Sequence, residues 1–399
     1  MKQRERVLTV LRHGEPDRVP FYLALLSRGA YANFCRHFGL DPLPPEPGGT
    51  TARYDERILD ILEVDYRHLF AVNPPAADLG DGLFRDEWGI IWRDTGSEVG
   101  PIAYPLRDAI SPSELAAYPW PDPALSLRLD GLRERARQLH STTDYAISFR
   151  PPLFGGVLEL GCFLRGTDRF LMDLLLNKAF AKELVHILTG LISGFYESIL
   201  CAIGEFVHVV EHATDYGHQE GLLISPDLYR EFFKPADAAI IATIKKNAPR
   251  AKVCFHSCGA IAPLIPDFIE TGAEILNALQ PLAKNMDMTG IKRQYGGRLV
   301  FHGAIDVQRA MSGSVEDVRS EVRTRITELA PGGGYILAPS NILQRDVPVE
   351  NIVALGRACR EYGVYPLAGR RQSPAVIEVT DLSRTRSIGA KTVVQPRSS

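Results

Sequence analysis

Cysteine is scarce in this chain. Six residues in 399 (Cys35, Cys162, Cys201, Cys254, Cys258 and Cys359) are too few and too irregularly spaced to form a disulfide framework, and a reducing compartment is the simpler reading. An excess of one charge is also missing. Forty-five Lys and Arg stand against 48 Asp and Glu, for a formal net charge of -3 and a pI near 6.4. Such a balance offers no broad positive field for a phosphate backbone or an anionic membrane, so neither nucleic acid nor membrane is expected as a partner. No uninterrupted apolar run of about 20 residues occurs. The opening Met1-Lys2-Gln3-Arg4-Glu5-Arg6 leads into a charged amphipathic pattern rather than the apolar stretch of a signal peptide, and a cytoplasmic location is expected. No repeat of fixed period is present.

What the chain does have is an ordinary globular composition. Hydrophobic residues make up 45% and charged residues 23%, enough apolar side chain for a sizeable core. From about residue 140 onward, short β-branched runs alternate with longer helical patterns, the mark of βα units around a parallel sheet. Six strands are expected at Asp144 to Phe149, Phe206 to His212, Ala251 to His256, Glu274 to Ala278, Arg298 to His302 and Tyr335 to Ala338. Two more candidates, Arg18 to Leu23 and the stretch near Asp65 to Val72, bring the total to eight. The expected fold class is therefore α/β: a single (β/α)8 TIM barrel over residues 1–365, with an N-terminal excursion from about Asn73 to Pro123. Residues 366–399 have little apolar periodicity, and disorder is their default. Ser314 is placed to cap a helix carrying Val315, Val318, Val322, Ile326 and Leu329. Ser225-Pro226 starts another, which Pro235 is expected to divide into two segments.

In a barrel of this kind, functional groups come from the C-terminal ends of the strands and the loops after them. The run Cys254-Phe255-His256-Ser257-Cys258-Gly259 places His256 and Cys258 two residues apart, and the pleat of an extended chain points both side chains the same way. A nitrogen and a sulfur donor would converge at the mouth, as zinc requires. The competing reading is a hydrogen-bonded core histidine beside a small buried cysteine. The preceding strand ends in Glu211-His212, followed by Thr214 and Asp215: ligands or acid/base groups on one reading, loop caps on the other, with one of Glu211 and His212 facing outward. His302-Gly303 with Asp306, and Ser340-Asn341, end the last two strands. Arg150 is placed to hold a substrate carboxylate in a bidentate fork or to form an outward salt bridge. The candidate catalytic residues are Asp215, Glu211 and Arg150; the candidate substrate-binding residues are Arg28, Tyr216, His302 and Asn341; the candidate metal ligands are His256 and Cys258.

Several motifs together resemble one superfamily. They are Glu15-Pro16-Asp17-Arg18-Val19-Pro20, Asp86-Glu87-Trp88-Gly89, Tyr118-Pro119-Trp120-Pro121, Gln219-Glu220-Gly221 with Ile224-Ser225-Pro226, His256-Ser257-Cys258-Gly259, His302-Gly303-Ala304-Ile305-Asp306, and Ile336-Leu337-Ala338-Pro339 followed by Asp346-Val347-Pro348. Over about residues 1–365 the sequence is similar to the uroporphyrinogen decarboxylase superfamily, nearer its zinc- and corrinoid-dependent methyltransferase branch.

The resemblance implies a (β/α)8 barrel with one of two chemistries. Methyltransferases use Zn2+ to activate a thiol or related acceptor for a methyl group held on a corrinoid, and His256 and Cys258 match their first two zinc ligands. Their third ligand, a cysteine after the last strand, is matched here by Asn341, where decarboxylases tend to carry histidine. The alternative is metal-free decarboxylation of uroporphyrinogen or another carboxylated small molecule, with Arg28, Arg150, Tyr216 or Asp215 as clamp and proton donor. A third reading is a non-catalytic barrel that binds a ligand or docks a corrinoid protein.

Overall fold

The computed structural model describes residues 1–23, 26–43, 55–70, 76–96, 99–124, 129, 131–151 and 155–367. One compact unit spans Met1–Leu367. The tail expected from residue 366 lies, past Leu367, outside the described residues, as do Ala71 and Val72 at the end of one expected strand.

Seven strands form one parallel sheet: β1 (Tyr66–Phe70), β2 (Ala146–Arg150), β3 (Val209–Ala213), β4 (Lys252–His256), β5 (Ile275–Asn277), β6 (Val300–Ile305) and β7 (Tyr335–Pro339), in that spatial order. Helices cover the outer faces, so both faces of each strand are buried; this is why these segments read as near-continuous apolar runs. The Arg18 to Leu23 segment lies between β7 and β1. Leu337 N donates to Pro20 O (3.0 Å), Tyr22 N to Leu337 O (2.9 Å) and Asp65 N to Phe21 O (3.0 Å). It closes the ring as a parallel bridge at Phe21–Leu337 rather than as a regular strand. The reason is local: Pro20 has no N–H, and that of Phe21 goes to the Asp65 carboxylate (2.8 Å) instead of a ladder carbonyl.

Strand edges differ from expectation where chain ends of helices intrude. Phe206 N donates to Ile203 O and finishes the preceding helix, so β3 starts at Val209 rather than Phe206. β6 begins at Val300 and runs past His302 to Ile305. The Ser314 cap forms, its hydroxyl accepting from Asp317 N (3.2 Å) at the head of Val315–Leu329. Ser225 likewise accepts from Leu228 N (3.2 Å). The division expected at Pro235 is present: Pro226–Leu228 passes into a wide π turn at Tyr229–Phe233, and a second α-helical segment, Lys234–Asn247, starts with the proline in its first turn. The helix Lys178–Ile203 is long and apolar enough by composition to cross a membrane. In the fold its Leu184, Leu188, Ile192, Phe195 and Ile199 recur at helical spacing and are buried in the protein.

The excursion is an antiparallel sheet of Ala77–Gly80, Leu83–Arg85, Ile91–Asp94 and Val99–Ala103. The Asp86-Glu87-Trp88-Gly89 motif builds one of its turns. Asp86 accepts from the Trp88 and Ile90 backbone amides and from Trp92 Nε1 (2.7 Å), while the Trp88 ring packs on Phe195 of the long helix.

Candidate functional site

β4 ends at His256, and Gly259 turns the chain with φ +84°, where a Cβ would collide with the backbone of Gly217 and His218. The pleat therefore does not carry as far as Cys258; the turn does, and it still brings Cys258 Sγ to 3.4 Å from His256 Nε2. Phe255, between the inward Cys254 and His256, faces the opposite way and stacks on Phe268 (4.4 Å).

Asp215 joins them from the loop after β3. One carboxylate oxygen accepts the Cys258 backbone N–H (2.8 Å) and lies 3.5 Å from His256 Nε2. Ligand atoms of Asp215, His256 and Cys258 all fall within 4.8 Å of one another. Asn341 reaches the same place from the loop after β7, its Nδ2 3.6 Å from Cys258 Sγ. On the other flank Asn277, at the end of β5, hydrogen-bonds His256 Nδ1 through Oδ1 and donates Nδ2 to His302 Nδ1 (2.9 Å).

The loop that carries Asp215 rests on Glu159. This half-buried carboxylate, in the helix Val157–Arg165, accepts from the Asp215 backbone N–H, from Thr214 Oγ1 (2.7 Å) and from Gly156 N (3.2 Å). A Cβ on Gly156 would lie 2.6 Å from that of Thr214, so the close approach requires glycine. Burial and the Asp215 charge raise Glu159 to about 7. Burial alone would lower His256; the facing Cys258, with Asp215 and Glu211, instead raises it to about 10. His302 goes the other way, lowered to about 3 by burial and by His256.

The remaining sequence candidates are placed as follows. Arg150 and Glu211 meet on adjacent strands, Nε to Oε1 3.4 Å. His302 is buried in β6 against the Tyr22 ring (4.3 Å), and its Nε2 has no hydrogen-bond partner among the described residues. His212 is the outward member of its pair, with Nε2 3.0 Å from Asp237. One expectation needs correction. Tyr216 is fully buried and its hydroxyl donates to Asp237 (2.9 Å), so it faces a helix and not a substrate. Arg28 is engaged by Asp94 of the excursion (2.8 Å), and its buried Nε has no hydrogen-bond partner among the described residues. Glu159 and Asn277 escaped the sequence reading. For Glu159 a signal existed: an acid three residues after Gly156, ahead of an apolar run, is placed as the glutamate half of a capping box, accepting the Gly156 backbone N–H. A cavity of about 520 Å³ lined by Asn285, Asp287, Arg293 and Tyr295 includes no residue of the cluster.

A parallel α/β barrel with donor atoms gathered at its strand ends defines the class of this protein. The uroporphyrinogen decarboxylase (URO-D) family profile matches residues 107–362, and the chain belongs to that family. A methyltransferase from Methanosarcina mazei superposes with a TM-score of 0.65 at 18% identity, over 91% of this chain and 99% of that one; the likeness is one of fold. A GH53 catalytic domain from Ignisphaera aggregans superposes at a TM-score of 0.41 and 14% identity, over 82% of this chain and 86% of that one, too weakly to carry an argument. No curated protein sequence matches.

Proposed function

We propose that this protein is a zinc-dependent methyltransferase or demethylase component in which His256, Cys258 and Asp215 hold the metal. The observation that carries this reading is the convergence of one nitrogen, one sulfur and one carboxylate donor within 4.8 Å at the mouth of the barrel. The donor set fits zinc, which takes N, S and O ligands and in catalytic sites keeps a fourth position open. A thiolate, a carboxylate and a neutral imidazole carry two negative charges, matching a dication. Asp215 thus supplies the charge lacking at Asn341.

When bound, zinc lowers the pKa of a thiol or water at the open position, so that a nucleophile exists at neutral pH. The chain's own residues do the placing. Glu159 holds the Asp215 loop, and Asn277 holds the His256 ring. Arg150 on the same rim offers a guanidinium fork to a carboxylate of the small-molecule substrate. Methyl transfer forms a bond from acceptor sulfur to the methyl carbon as the donor–methyl bond breaks. The electron pair leaves with the donor and the thiol proton passes to water. The donor we assign is a corrinoid, free or on a partner protein.

Elemental analysis of protein purified without added metal or chelator tests this, alongside His256→Ala and Cys258→Ala. Near-stoichiometric zinc, lost in both variants, is the expected result. No zinc in the parent chain, even after reconstitution, would sink the metal mechanism and favour decarboxylation or a binding role.

A further inference from the structure

Asn277 stands at the end of β5 between two imidazoles, and its amide can sit only one way round. Nδ2 donates to the His302 backbone carbonyl (3.3 Å) as well as to His302 Nδ1 (2.9 Å). A carbonyl oxygen can only accept, so the amide nitrogen must face His302, and Oδ1 must face His256. Oδ1 also can only accept, so His256 Nδ1, the ring atom it meets, carries a proton. The other ring nitrogen, Nε2, is the one that looks toward Cys258 Sγ (3.4 Å) and Asp215 Oδ1 (3.5 Å).

We infer that Asn277 is a positioning residue that fixes His256 as an Nδ1–H imidazole, so that the Nε2 lone pair is the donor offered to a metal. The inference rests on the reading of His256 as a ligand. The opposite amide orientation would aim an N–H at His256 Nδ1, force the ring proton onto Nε2, and close that donor. His302 guards against the flip from the far side: its Nδ1 must accept from Asn277, so its proton lies on Nε2, the buried atom without a partner among the described residues. Burial keeps this ring neutral, which the arrangement requires. Orienting partners of this kind hold a ligating imidazole in one tautomer and raise its basicity.

Full-length Asn277→Asp and Asn277→Ala chains separate control of the tautomer from packing. Aspartate keeps an oxygen for the Nδ1–H; alanine removes it. Zinc competition against a chromophoric chelator should show affinity about 10–100-fold weaker for Asn277→Ala and within about threefold of the parent for Asn277→Asp. In metal-free protein, the 1H NMR spectrum of the parent and of Asn277→Asp should contain a slowly exchanging downfield imidazole N–H that Asn277→Ala lacks. Equal loss of affinity in both variants, or an alanine variant that keeps both the signal and the affinity, overturns the inference. Should the parent chain bind no zinc, the metal reading fails by itself, and the N–H signal still tests the hydrogen bond from His256 Nδ1 to Asn277: its persistence in Asn277→Ala overturns the positioning role, its loss upholds it.

Discussion

Two imidazoles on neighbouring strands meet opposite fates. His212 on β3 points outward, its Nε2 3.0 Å from Asp237, whose second oxygen accepts from the hydroxyls of Tyr216 (2.9 Å) and Tyr229 (3.1 Å). The His212 and Asp237 side chains are 2% and 0% exposed, walled in by Phe233 and Phe268 around Tyr216. His256 on β4 points inward toward Cys258 and Asp215, and there the His256 and Asp215 side chains are 16% and 40% exposed. The residue types are nearly the same. What differs is closure: every oxygen of Asp237 is used and no solvent reaches it, so the network ties a helix to the sheet. The mouth cluster gathers donors without saturating them, leaving room for an ion. A satisfied buried network specifies structure, and a convergent open one can bind.

The largest effect should come from breaking the closed network. Asp237→Ala leaves a histidine and two phenol hydroxyls buried without their acceptor, and should cost about 3–5 kcal/mol in urea denaturation, with zinc per folded chain unchanged. Asp215→Asn is the mirror experiment. Zinc affinity should fall by about 100-fold in chelator competition, since a neutral amide is the poorer donor, while metal-free stability moves by no more than about 1 kcal/mol at so exposed a site. If the two variants behave alike, the contrast between structural and binding networks does not hold.

The contrast also explains what could be read from sequence. β4 and β6 were legible because strands buried on both faces are written as apolar runs, and His256 with Cys258 stood out by spacing at the end of one of them. The directions of His212 and Tyr216 were not legible, since one residue of strand phase or one loop turn reverses a side chain. Arg28 pairs with Asp94, 66 positions away in the excursion, a contact that no local pattern encodes. Asn277 matters only because β5 lies beside β4 in a register that sets it opposite His256. Asp215 was one of several acids near a strand end until the Cys258 N–H singled it out. The barrel itself could be counted from alternating segments, but the eighth position closes through Pro20 and Asp65 in a way that only the folded chain displays.

A smaller change should sharpen the open cluster. Asn341 sits 3.6 Å from Cys258 Sγ, so Asn341→Cys adds a soft donor where the amide now lies. Zinc affinity should rise by about tenfold, read by the same competition assay, because thiolate is the stronger zinc ligand. Unchanged affinity would mean that the loop after β7 does not reach the metal.

The smallest expected effect concerns a third imidazole, neither closed off by a carboxylate nor open to an ion. His208 accepts the Ile147 backbone N–H at Nδ1 (3.0 Å). Burial, with Arg4 and His140 nearby, lowers its pKa to about 4. In the unfolded chain the ring titrates near pH 6.5. Below that value the unfolded state takes up a proton that the folded state refuses, so stability present above pH 6.5 is lost as the pH falls toward 4. His208→Gln retains an acceptor for Ile147 but cannot titrate. Between pH 7 and 5.5, urea denaturation should show the parent losing about 1 kcal/mol more than the variant, while the other ionisable groups contribute equally to both. Parallel pH slopes would show that His208 titrates alike in the folded and unfolded chain, and that burial on the outer side of the sheet does not by itself hold an imidazole neutral.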